Sequence, residues 1–499
     1  MLKSLGIPGG IILCAAFILL RLWSMTDSCL WFDEIFSVHA AEHSWDTIIS
    51  FAAKDLIHPP LFYVLLKLWI PLSGESVFWL RLLPVLFSIG ALFPFWMICR
   101  ELKLKPSAVI VAVSLFAVNG SLIKYSQELR MYSLLLCLSL FSIWLFSRFY
   151  FRGKNFWLLT IINVLLVYTH YFGWLVVIAE VAAILIAQRI KILRTLLMVG
   201  VTLAAFLPWV FAVFRFAEPG PGVEQNIGWI ATPGIGTIFE FAFDVIEPFY
   251  YQQSSADPSS IFIIAIPLLL LIAAAKIIYL IDFKNAEDKD AIYLMSVFSV
   301  VPLVLAFIAS WLLPVSVWGS RHLIVVFAPL MIIIAIFITS VSIKPVRYAV
   351  IAAAYLLILI GFVVQLRAEK PQFIWCAWEK LAEQIPADQP QTVYVFEDLV
   401  AYHFWFATRN NANFHVVKIN GMPEMTEDKA YFLPRGFDGI RVMTPEDIAV
   451  EHFWVAFRDM QLNEKHPPLN YLLDRGFKIG TMKTIDANGL KAFVVEARK

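Results

Sequence analysis

The sequence predicts a polytopic α-helical membrane protein that carries a soluble α/β domain at its C-terminal end. The 499 residues are 60% hydrophobic and only 15% charged, with a mean hydropathy of +0.75. A soluble chain of this length would have fewer apolar and more charged residues. Apolar runs of about 20 residues recur, and they lack the alternation of transmembrane β-strands. From about residue 367 onward, charged and polar residues become frequent.

About eleven spans are predicted, and together they form a membrane domain over residues 1–366. The first contains GIPGGIILCAAFILL. It resembles a signal sequence, but no clear cleavage site follows, so we interpret it as an uncleaved signal and anchor. The spans lie near residues 6–25, 78–99, 106–123, 131–148, 155–170, 171–188, 195–215, 259–281, 291–313, 321–342 and 346–366.

Short basic loops separate alternate spans and predict the orientation. With Lys3 they hold about 14 Lys and Arg, far more than the opposite side. The positive-inside rule therefore puts the N-terminus in the cytoplasm, and an odd span count puts the C-terminus outside. This predicts a multi-pass protein of the bacterial inner membrane with a periplasmic or extracytoplasmic C-terminal domain. The loops are RELKLK (100–105), RFYFRGK (148–154), QRIKILR (188–194), DFKNAEDKD (282–290) and SIKPVR (342–347).

Two predicted outer loops are long. In the first, residues 26–77, the pieces SWDTIISFAAK and PPLFYVLLKLWIPL are apolar but too short to span, which favours helices lying along the membrane surface. The second, residues 217–258, is rich in Gly, Pro and aromatic residues. It is either a lid or substrate loop, or an ordinary connector.

Residues 367–499 are predicted to form the soluble α/β domain. TVYVFED, FHVVKI, KAYFLP, GIRVMT and KAFVVEA have the pattern of short strands, and LVAYHFWFA and PPLNYLLDRG that of helices. The net charge of +1 argues against nucleic acid as a partner. The five cysteines form no CxxC pair, which argues against a thiolate metal site. Cys29 and Cys376 both fall on the predicted outer side, where an oxidising compartment allows a disulfide. The sequence leaves their separation in the fold, and so the pairing itself, open.

Five polar clusters stand at the predicted outer ends of the spans. Each alone has an ordinary structural explanation, since carboxylates are solvated there and Arg side chains reach the headgroups. Together they indicate function, because charge at a membrane edge is costly. The clusters supply Asp33 and Glu34 in WFDE, His58 in HPP, Lys124, Glu128 and Arg130 in KYSQELR, His170 in THY, and Arg321 and His322 in WGSRH.

These residue types fit group transfer from a lipid phosphate. A carboxylate can take the proton from an attacking hydroxyl or amine. Arg and Lys can stabilise a phosphate leaving group, and histidines can carry protons or bind metal. A lipid-phosphate donor would enter laterally from the membrane and pass its group to an acceptor on the outer side.

The strings WFDE, HPPLFYVLL, YSQELRMYSLLL, YTHYFGWL and SRH, in this order, resemble the membrane-embedded GT-C glycosyltransferases. The branch is that of the protein O-mannosyltransferases and the aminoarabinose transferases of lipid A, and the resemblance covers residues 1–366. It implies a GT-C fold with Asp33 as the catalytic base, Glu34 as its motif neighbour and Glu128 as a second acidic residue.

The resemblance also implies a donor-phosphate site and leaves a metal open. Arg130 and Arg321 would contact the phosphate, with Lys124 and His170 as further candidates. His322 joins them, although the family more often has Tyr at its position. His58 stands where the family can hold a metal or the donor, so a divalent cation is a candidate cofactor.

The implied reaction is an inverting sugar transfer from a polyprenyl-phosphate donor to a glycolipid, polysaccharide or protein acceptor, among membrane lipids. One alternative is a transporter or flippase of lipid-linked saccharides. Such a protein would place charges near mid-membrane and often shows inverted repeats, which we do not find in the sequence. Another is a transferase of a phosphate-linked headgroup, for which no outer Ser or Thr beside metal ligands is evident.

Overall fold

A computed structural model describes residues 2–187, 191–217, 222–249, 264–281, 288–367, 372–425, 431–461, 466–487 and 489–499. The chain divides into two compact units. The first comprises residues 1–25, 43–217 and 230–369, and the second comprises residues 26–42, 218–229 and 370–499. The second unit thus takes a segment from each of the two long loops predicted at 26–77 and 217–258.

The first unit is helical. In the described residues, six helices are long and apolar enough to cross a membrane, and six shorter apolar helices accompany them. Each of the eleven predicted spans overlaps one of these helices. The helices are Leu2–Leu22, Ile48–Asp55, Leu61–Ser73, Val77–Glu101, Pro106–Val118, Gly120–Ser126, Tyr132–Arg152, Phe156–Thr169, Gly173–Ala187, Ile192–Phe216, Ile235–Ile246, Ile266–Ile281, Lys289–Leu312, Phe327–Thr339 and Lys344–Arg367, with a 3-10 turn at His322–Val326.

Apolar side chains cover the outside of these helices as well as the inside. On Ile192–Phe216, for example, Leu193, Phe211 and Phe214 are exposed by 78%, 70% and 81%. In water such surfaces would aggregate, whereas lipid tails solvate them, and backbone groups paired within helices are what a bilayer requires. The prediction of a polytopic helical membrane protein is therefore confirmed.

The two pieces of the first long loop fold as helices, Ile48–Asp55 and Leu61–Ser73. Part of the second loop also folds as a helix, Ile235–Ile246. Residues 218–221 and 250–258 of that loop lie outside the described residues, and the choice between a lid or substrate loop and an ordinary connector stays open.

The second unit contains the predicted α/β domain, built on a six-stranded sheet. The strands are β1 Gln391–Val395, β2 Phe414–Ile419, β3 Arg441–Met443, β4 His452–Asp459, β5 Lys478–Ala487 and β6 Leu490–Arg498. Their order in the sheet is β3-β2-β1-β4-β6-β5. Strands β3, β2, β1 and β4 run parallel, and β6 pairs antiparallel with β4 and β5. The helices are Phe32–Glu42, Glu224–Ile227, Ala377–Ala382, Asp398–Thr408 and Pro467–Asp474, and a 3-10 turn covers Ile374–Cys376.

Four of the five predicted strands correspond to β1, β2, β3 and β6, and both predicted helices are present. The strand predicted at KAYFLP is wrong over its described part, residues 431–434, which form no strand. Strands β4 and β5 were missed. β4 is buried over most of its length, and β5 is a mostly exposed edge strand, so neither alternates cleanly between apolar and polar residues.

A disulfide joins Cys29 to Cys376 within the second unit, as the sequence allowed. It ties the segment that begins helix Phe32–Glu42 to the segment that precedes the sheet. Helix Phe32–Glu42 also packs on Asp398–Thr408, where His39 Nδ1 lies 2.9 Å from the Tyr402 hydroxyl. Cys29 and His39, which both come from the first long loop predicted from the sequence, thereby belong to the same unit as the C-terminal sheet.

Candidate functional site

Four of the five polar clusters meet within the first unit, around three histidines. The ring centroids of His58 and His170 lie 5.2 Å apart, and those of His170 and His322 lie 5.5 Å apart. All three side chains are buried, at 4%, 4% and 6% exposure. We call these three residues the histidine cluster. It brings together positions that are up to 264 residues apart in sequence, 322 − 58.

Arg130 joins the histidine cluster through a direct hydrogen bond. Its Nη2 donates to Nδ1 of His58 at 3.2 Å, and the residue is only 4% exposed. A tight turn presents it, because the backbone N–H of Arg130 donates to the carbonyl oxygen of Glu128 at 2.6 Å just before helix Tyr132–Arg152 begins. The turn therefore delivers Arg130 and the buried Glu128 together.

Two histidines of the cluster offer N–H donors into buried space. Arginine only donates, so Nδ1 of His58 must accept from Arg130, and the proton of the neutral ring is on Nε2. In His170, Nδ1 accepts from the backbone N–H of Phe172 at 3.0 Å, which gives the same tautomer. Among the described residues neither Nε2 has a hydrogen-bond partner. Each is a buried donor that lacks an acceptor.

Burial and neighbouring cations keep these two rings neutral. The pKa of His58 is lowered well below its usual range, mainly by burial and next by the positive charge of Arg130. Burial also lowers the pKa of His170, with smaller contributions from His58, Arg130 and Arg321. Both rings are therefore neutral donors at neutral pH, beside cations that carry the positive charge.

The segment that precedes helix Phe327–Thr339 supplies further members of the site. The backbone N–H of His322 donates to the carbonyl oxygen of Gly319 at 3.0 Å. A Cβ at Gly319 would lie 3.3 Å from His322 Nδ1, so glycine leaves room for this ring. Arg321 is partly exposed. Lys124, also partly exposed, lies on the short helix Gly120–Ser126 that precedes the Glu128 turn.

Asp244 is a member of this site that sequence reasoning missed. Ser320 Oγ donates to its carboxylate, next to Arg321. Asn119 Nδ2 donates to the carbonyl oxygens of Asp244 and Val245 at 2.9 and 3.0 Å, which attaches helix Ile235–Ile246 beside the site. Burial raises the pKa of Asp244. The sequence does contain a signal for this helix. The segment IFEFAFDVI has an amphipathic pattern, in which Glu240 and Asp244 are spaced i,i+4.

Asp33 and Glu34 lie in the second unit, at the start of helix Phe32–Glu42. Asp33 is partly exposed, and Glu34 is fully buried. Glu34 Oε2 accepts the backbone N–H of Trp31 at 3.1 Å, as in a helix-capping arrangement. Glu34 thus stabilises the beginning of the helix, and the assignment of Asp33 as a base stays a prediction.

The site fits an anion better than a metal ion. The described residues contain no group of three or more His, Cys, Asp or Glu side chains arranged to hold a metal. Nδ1 of His58 already accepts from Arg130, and a divalent cation next to Arg130 would be repelled by its charge. The metal suggested for His58 therefore does not fit these residues, and no step of the reaction is assigned to it.

Comparison with known proteins adds information on the fold. No protein-family model and no curated protein sequence matches this chain. ArnT from Cupriavidus metallidurans in the apo state is similar over 97% of both chains, at 12% identity and a TM-score of 0.58. ArnT from the same organism bound to undecaprenyl phosphate is similar over 98% of both chains, at 11% identity and a TM-score of 0.58.

The apo oligosaccharyltransferase from Archaeoglobus fulgidus is similar over 81% of this chain and 63% of its own, at 12% identity and a TM-score of 0.46. Sequence identity to ArnT is low, but the match extends over nearly the whole of both chains. The protein accordingly has the GT-C fold, the fold of ArnT.

Proposed function

We propose that this protein is a glycosyltransferase that moves a sugar from a polyprenyl-phosphate donor to an acceptor at the outer face of the membrane. The main support for this proposal is a set of buried hydrogen-bond donors, which are the Nε2–H groups of His58 and His170 beside Arg130. Phosphate oxygens are the acceptors that such donors and guanidinium groups bind well. That ArnT has been seen with undecaprenyl phosphate supports a lipid phosphate as the ligand.

In the proposed reaction the acceptor hydroxyl or amine attacks the anomeric carbon of the donor sugar. Asp33 takes the acceptor's proton, the new bond to the sugar forms, and the bond from the anomeric carbon to the phosphate oxygen breaks. The departing polyprenyl phosphate is a weak base, so it needs neutralisation by Arg130 and Arg321 more than protonation. A single displacement of this kind inverts the anomeric centre.

The remaining candidates have supporting roles in this proposal. Lys124 adds positive charge for the phosphate, and His322 packs beside His170 in the histidine cluster. Glu128 sits in the turn that presents Arg130, and we assign it to acceptor or sugar hydroxyls. The acceptor classes that fit are a glycolipid, a polysaccharide and a protein.

The orientation belongs to the same proposal. The Cys29–Cys376 disulfide supports an oxidising compartment for the side of the membrane that holds Asp33 and the sheet. Together with the basic loops, it favours a cytoplasmic N-terminus and a periplasmic or extracytoplasmic C-terminal domain in the bacterial inner membrane.

Donor binding tests the phosphate site directly. We expect Arg130→Ala and Arg321→Ala to weaken the binding of undecaprenyl phosphate to the purified protein by about tenfold, since a hydrogen bond to a charged group contributes roughly 1.5–3 kcal/mol. Arg347→Ala is the matched control, because Arg347 lies near the start of helix Lys344–Arg367, in the loop predicted to face the cytoplasm. Equal affinities in all three variants would refute the phosphate site.

Transfer tests the base. Asp33→Asn keeps the shape of the side chain and removes its basicity, so we expect the transfer rate to fall by about 10²–10⁴-fold while donor binding persists. Near-normal transfer in this variant would rule Asp33 out as the base. The flippase alternative predicts a different result: movement of a labelled lipid-linked saccharide across proteoliposomes with no transfer product.

A further inference from the structure

A closed hydrogen-bond ring lies in the interior of the first unit. Ser142, Asn163 and Glu180 are all fully buried, and each stands near the middle of its helix. Ser142 Oγ lies 2.7 Å from Asn163 Oδ1 and 2.6 Å from Glu180 Oε1. Asn163 Nδ2 lies 2.7 Å from Glu180 Oε2. These three contacts form what we call the Ser142–Asn163–Glu180 ring.

The number of hydrogens in the ring determines its protonation. Three contacts at hydrogen-bond distance need three donated hydrogens. The Ser142 hydroxyl supplies one, and the amide of Asn163 supplies one on the side where its nitrogen lies. Exchanging the amide oxygen and nitrogen of Asn163 moves that donor to the other contact but does not add a third. Only a proton on Glu180 completes the ring in either orientation.

The surroundings of Glu180 favour the same state. It lies on helix Gly173–Ala187, whose apolar sequence marks it as part of the membrane domain. In the described part of the chain, its polar partners are the neutral side chains of Ser142 and Asn163, and no ion pair involves it. An ionised carboxylate without a cation in such a place is far more costly than a protonated one.

The three helices joined by the ring end at the proposed phosphate site. Helix Tyr132–Arg152 begins directly after the turn of Arg130, and Phe156–Thr169 with Gly173–Ala187 forms a hairpin whose tip holds His170. The rise of a helix places the ring about 10 Å from that tip. The rings of Tyr132 and His170 lie 6.3 Å apart at this end of the helices.

We propose that Glu180 is a positioning residue that stays protonated and, through the Ser142–Asn163–Glu180 ring, fixes His170 relative to Arg130 for the donor phosphate. The phosphate part of this statement rests on the proposed function, whereas the protonation of Glu180 does not. A neutral ring also explains why a carboxyl group sits inside the membrane domain without implying the charge relay of a transporter.

Infrared spectroscopy tests the proton. The spectrum of the purified protein should contain a carboxylic-acid C=O stretching band that disappears in Glu180→Gln. The band should shift when the protein is prepared in D₂O, since a protonated carboxyl group exchanges its proton. If no band depends on Glu180, the residue is ionised and the proposal is overturned.

Substitutions test the positioning role. Glutamine has one donor and one acceptor face and can close the ring, so Glu180→Gln should bind undecaprenyl phosphate within about twofold of the parent. Glu180→Leu and Ser142→Ala leave buried polar groups unsatisfied, and we expect about tenfold weaker binding. Ser147→Ala is the control, because Ser147 is also fully buried on helix Tyr132–Arg152 but, within the described part of the chain, its hydroxyl donates only to Ile143 O of its own helix.

The outcomes separate this proposal from the proposed function. If Glu180→Leu and Ser142→Ala bind undecaprenyl phosphate as well as Ser147→Ala does, the ring does not position the phosphate site. A parent protein that binds no undecaprenyl phosphate would contradict the proposed function. In that event the infrared band still decides the protonation, and the thermal unfolding of the same variants decides whether the ring holds the three helices together.

Discussion

At the residue scale, burial and charge act in the same direction on His58 and His170. Protonation of either buried ring would place a third charge beside Arg130 and Arg321. Neutral rings avoid that cost and still donate from Nε2. A phosphate would therefore receive hydrogen bonds from the histidines and its countercharge from the arginines.

The same pKa shifts predict how stability depends on pH. An unfolded chain binds protons at these histidines below about pH 6.5, whereas the folded protein does not, so stability rises with pH through this range and falls on acidification. Each histidine contributes up to roughly 1.4 kcal/mol per pH unit. We expect the unfolding temperature in detergent to drop between about pH 7 and pH 5, and to drop less in His58→Gln and His170→Gln.

Other histidines require a control in this experiment. Burial lowers the pKa of His403 in the second unit to about 4, so it contributes with the same sign. The informative quantity is therefore the difference in slope between parent and variant. His415→Gln serves as the control, because this side chain is exposed. Identical slopes in His58→Gln, His170→Gln and His415→Gln would argue against neutral buried rings at the site.

At the element scale, the hairpin of Phe156–Thr169 and Gly173–Ala187 depends on one glycine. A Cβ at Gly173 would lie 2.7 Å from the carbonyl oxygen of Leu166, which is backbone and cannot move aside cheaply. The N–H of Gly173 also donates to the carbonyl oxygen of His170 at 2.9 Å, closing the turn. The close approach of the two helices and the position of His170 thus have a common cause.

Replacing this glycine by alanine, together with a control glycine, should separate a steric clash from the effect of any glycine-to-alanine change in a helix. We expect Gly173→Ala to destabilise the protein by about 1–3 kcal/mol, as overpacking does, and to weaken the binding of undecaprenyl phosphate because His170 moves. Gly200→Ala is the matched control: it also lies in a helix, Ile192–Phe216, and a Cβ there meets nothing within 4 Å. It should be neutral or gain up to about 1 kcal/mol.

Thermal unfolding and donor binding measure both glycine variants. If Gly173→Ala unfolds at the temperature of Gly200→Ala, the hairpin tolerates the added methyl group and the steric explanation is wrong. If it is destabilised but binds undecaprenyl phosphate normally, the hairpin is important for folding but does not position His170.

At the scale of the whole molecule, the fold was largely predictable because long apolar runs specify helices in a membrane. Charged residues in those runs are rare, so His58, Arg130 and His170 stood out at the ends of spans. Asp244 and Glu180 were missed for different reasons. Asp244 comes from a loop whose docking on Asn119 is a long-range contact, and Glu180 interrupts an apolar run that still predicts a span.

Which segments belong to each of the two units could not be predicted either, because this also depends on long-range contacts. Hydropathy assigns residues 26–42 and 218–229 to loops, but it does not say which body a loop joins. The joining contacts are specific pairs far apart in sequence, such as Arg409 with Glu42 and Gln225 with Leu433. Only the Cys29–Cys376 pair carried a signal visible in the sequence, because both residues fell on the same predicted side.

The disulfide gives a prediction that separates the roles of the two units. It bridges 347 residues and holds the segment with Asp33 to the unit that contains the sheet, whereas Arg130 and the histidine cluster lie in the first unit. We expect Cys29→Ser, Cys376→Ser or a reductant to destabilise the second unit by roughly 2–5 kcal/mol and to lower sugar transfer. The binding of undecaprenyl phosphate should remain, since its contacts do not depend on the disulfide.

Thiol labelling checks the premise, and Cys14→Ser is the control. In denaturant without reductant three cysteines should react, because Cys14, Cys99 and Cys137 are free, and all five should react after reduction. Five reactive thiols without reductant would show that the pair does not form. If Cys29→Ser loses donor binding and sugar transfer equally while Cys14→Ser loses neither, the separation of roles between the two units is wrong. Phosphate binding would then depend on the second unit as much as the proton transfer assigned to Asp33 does.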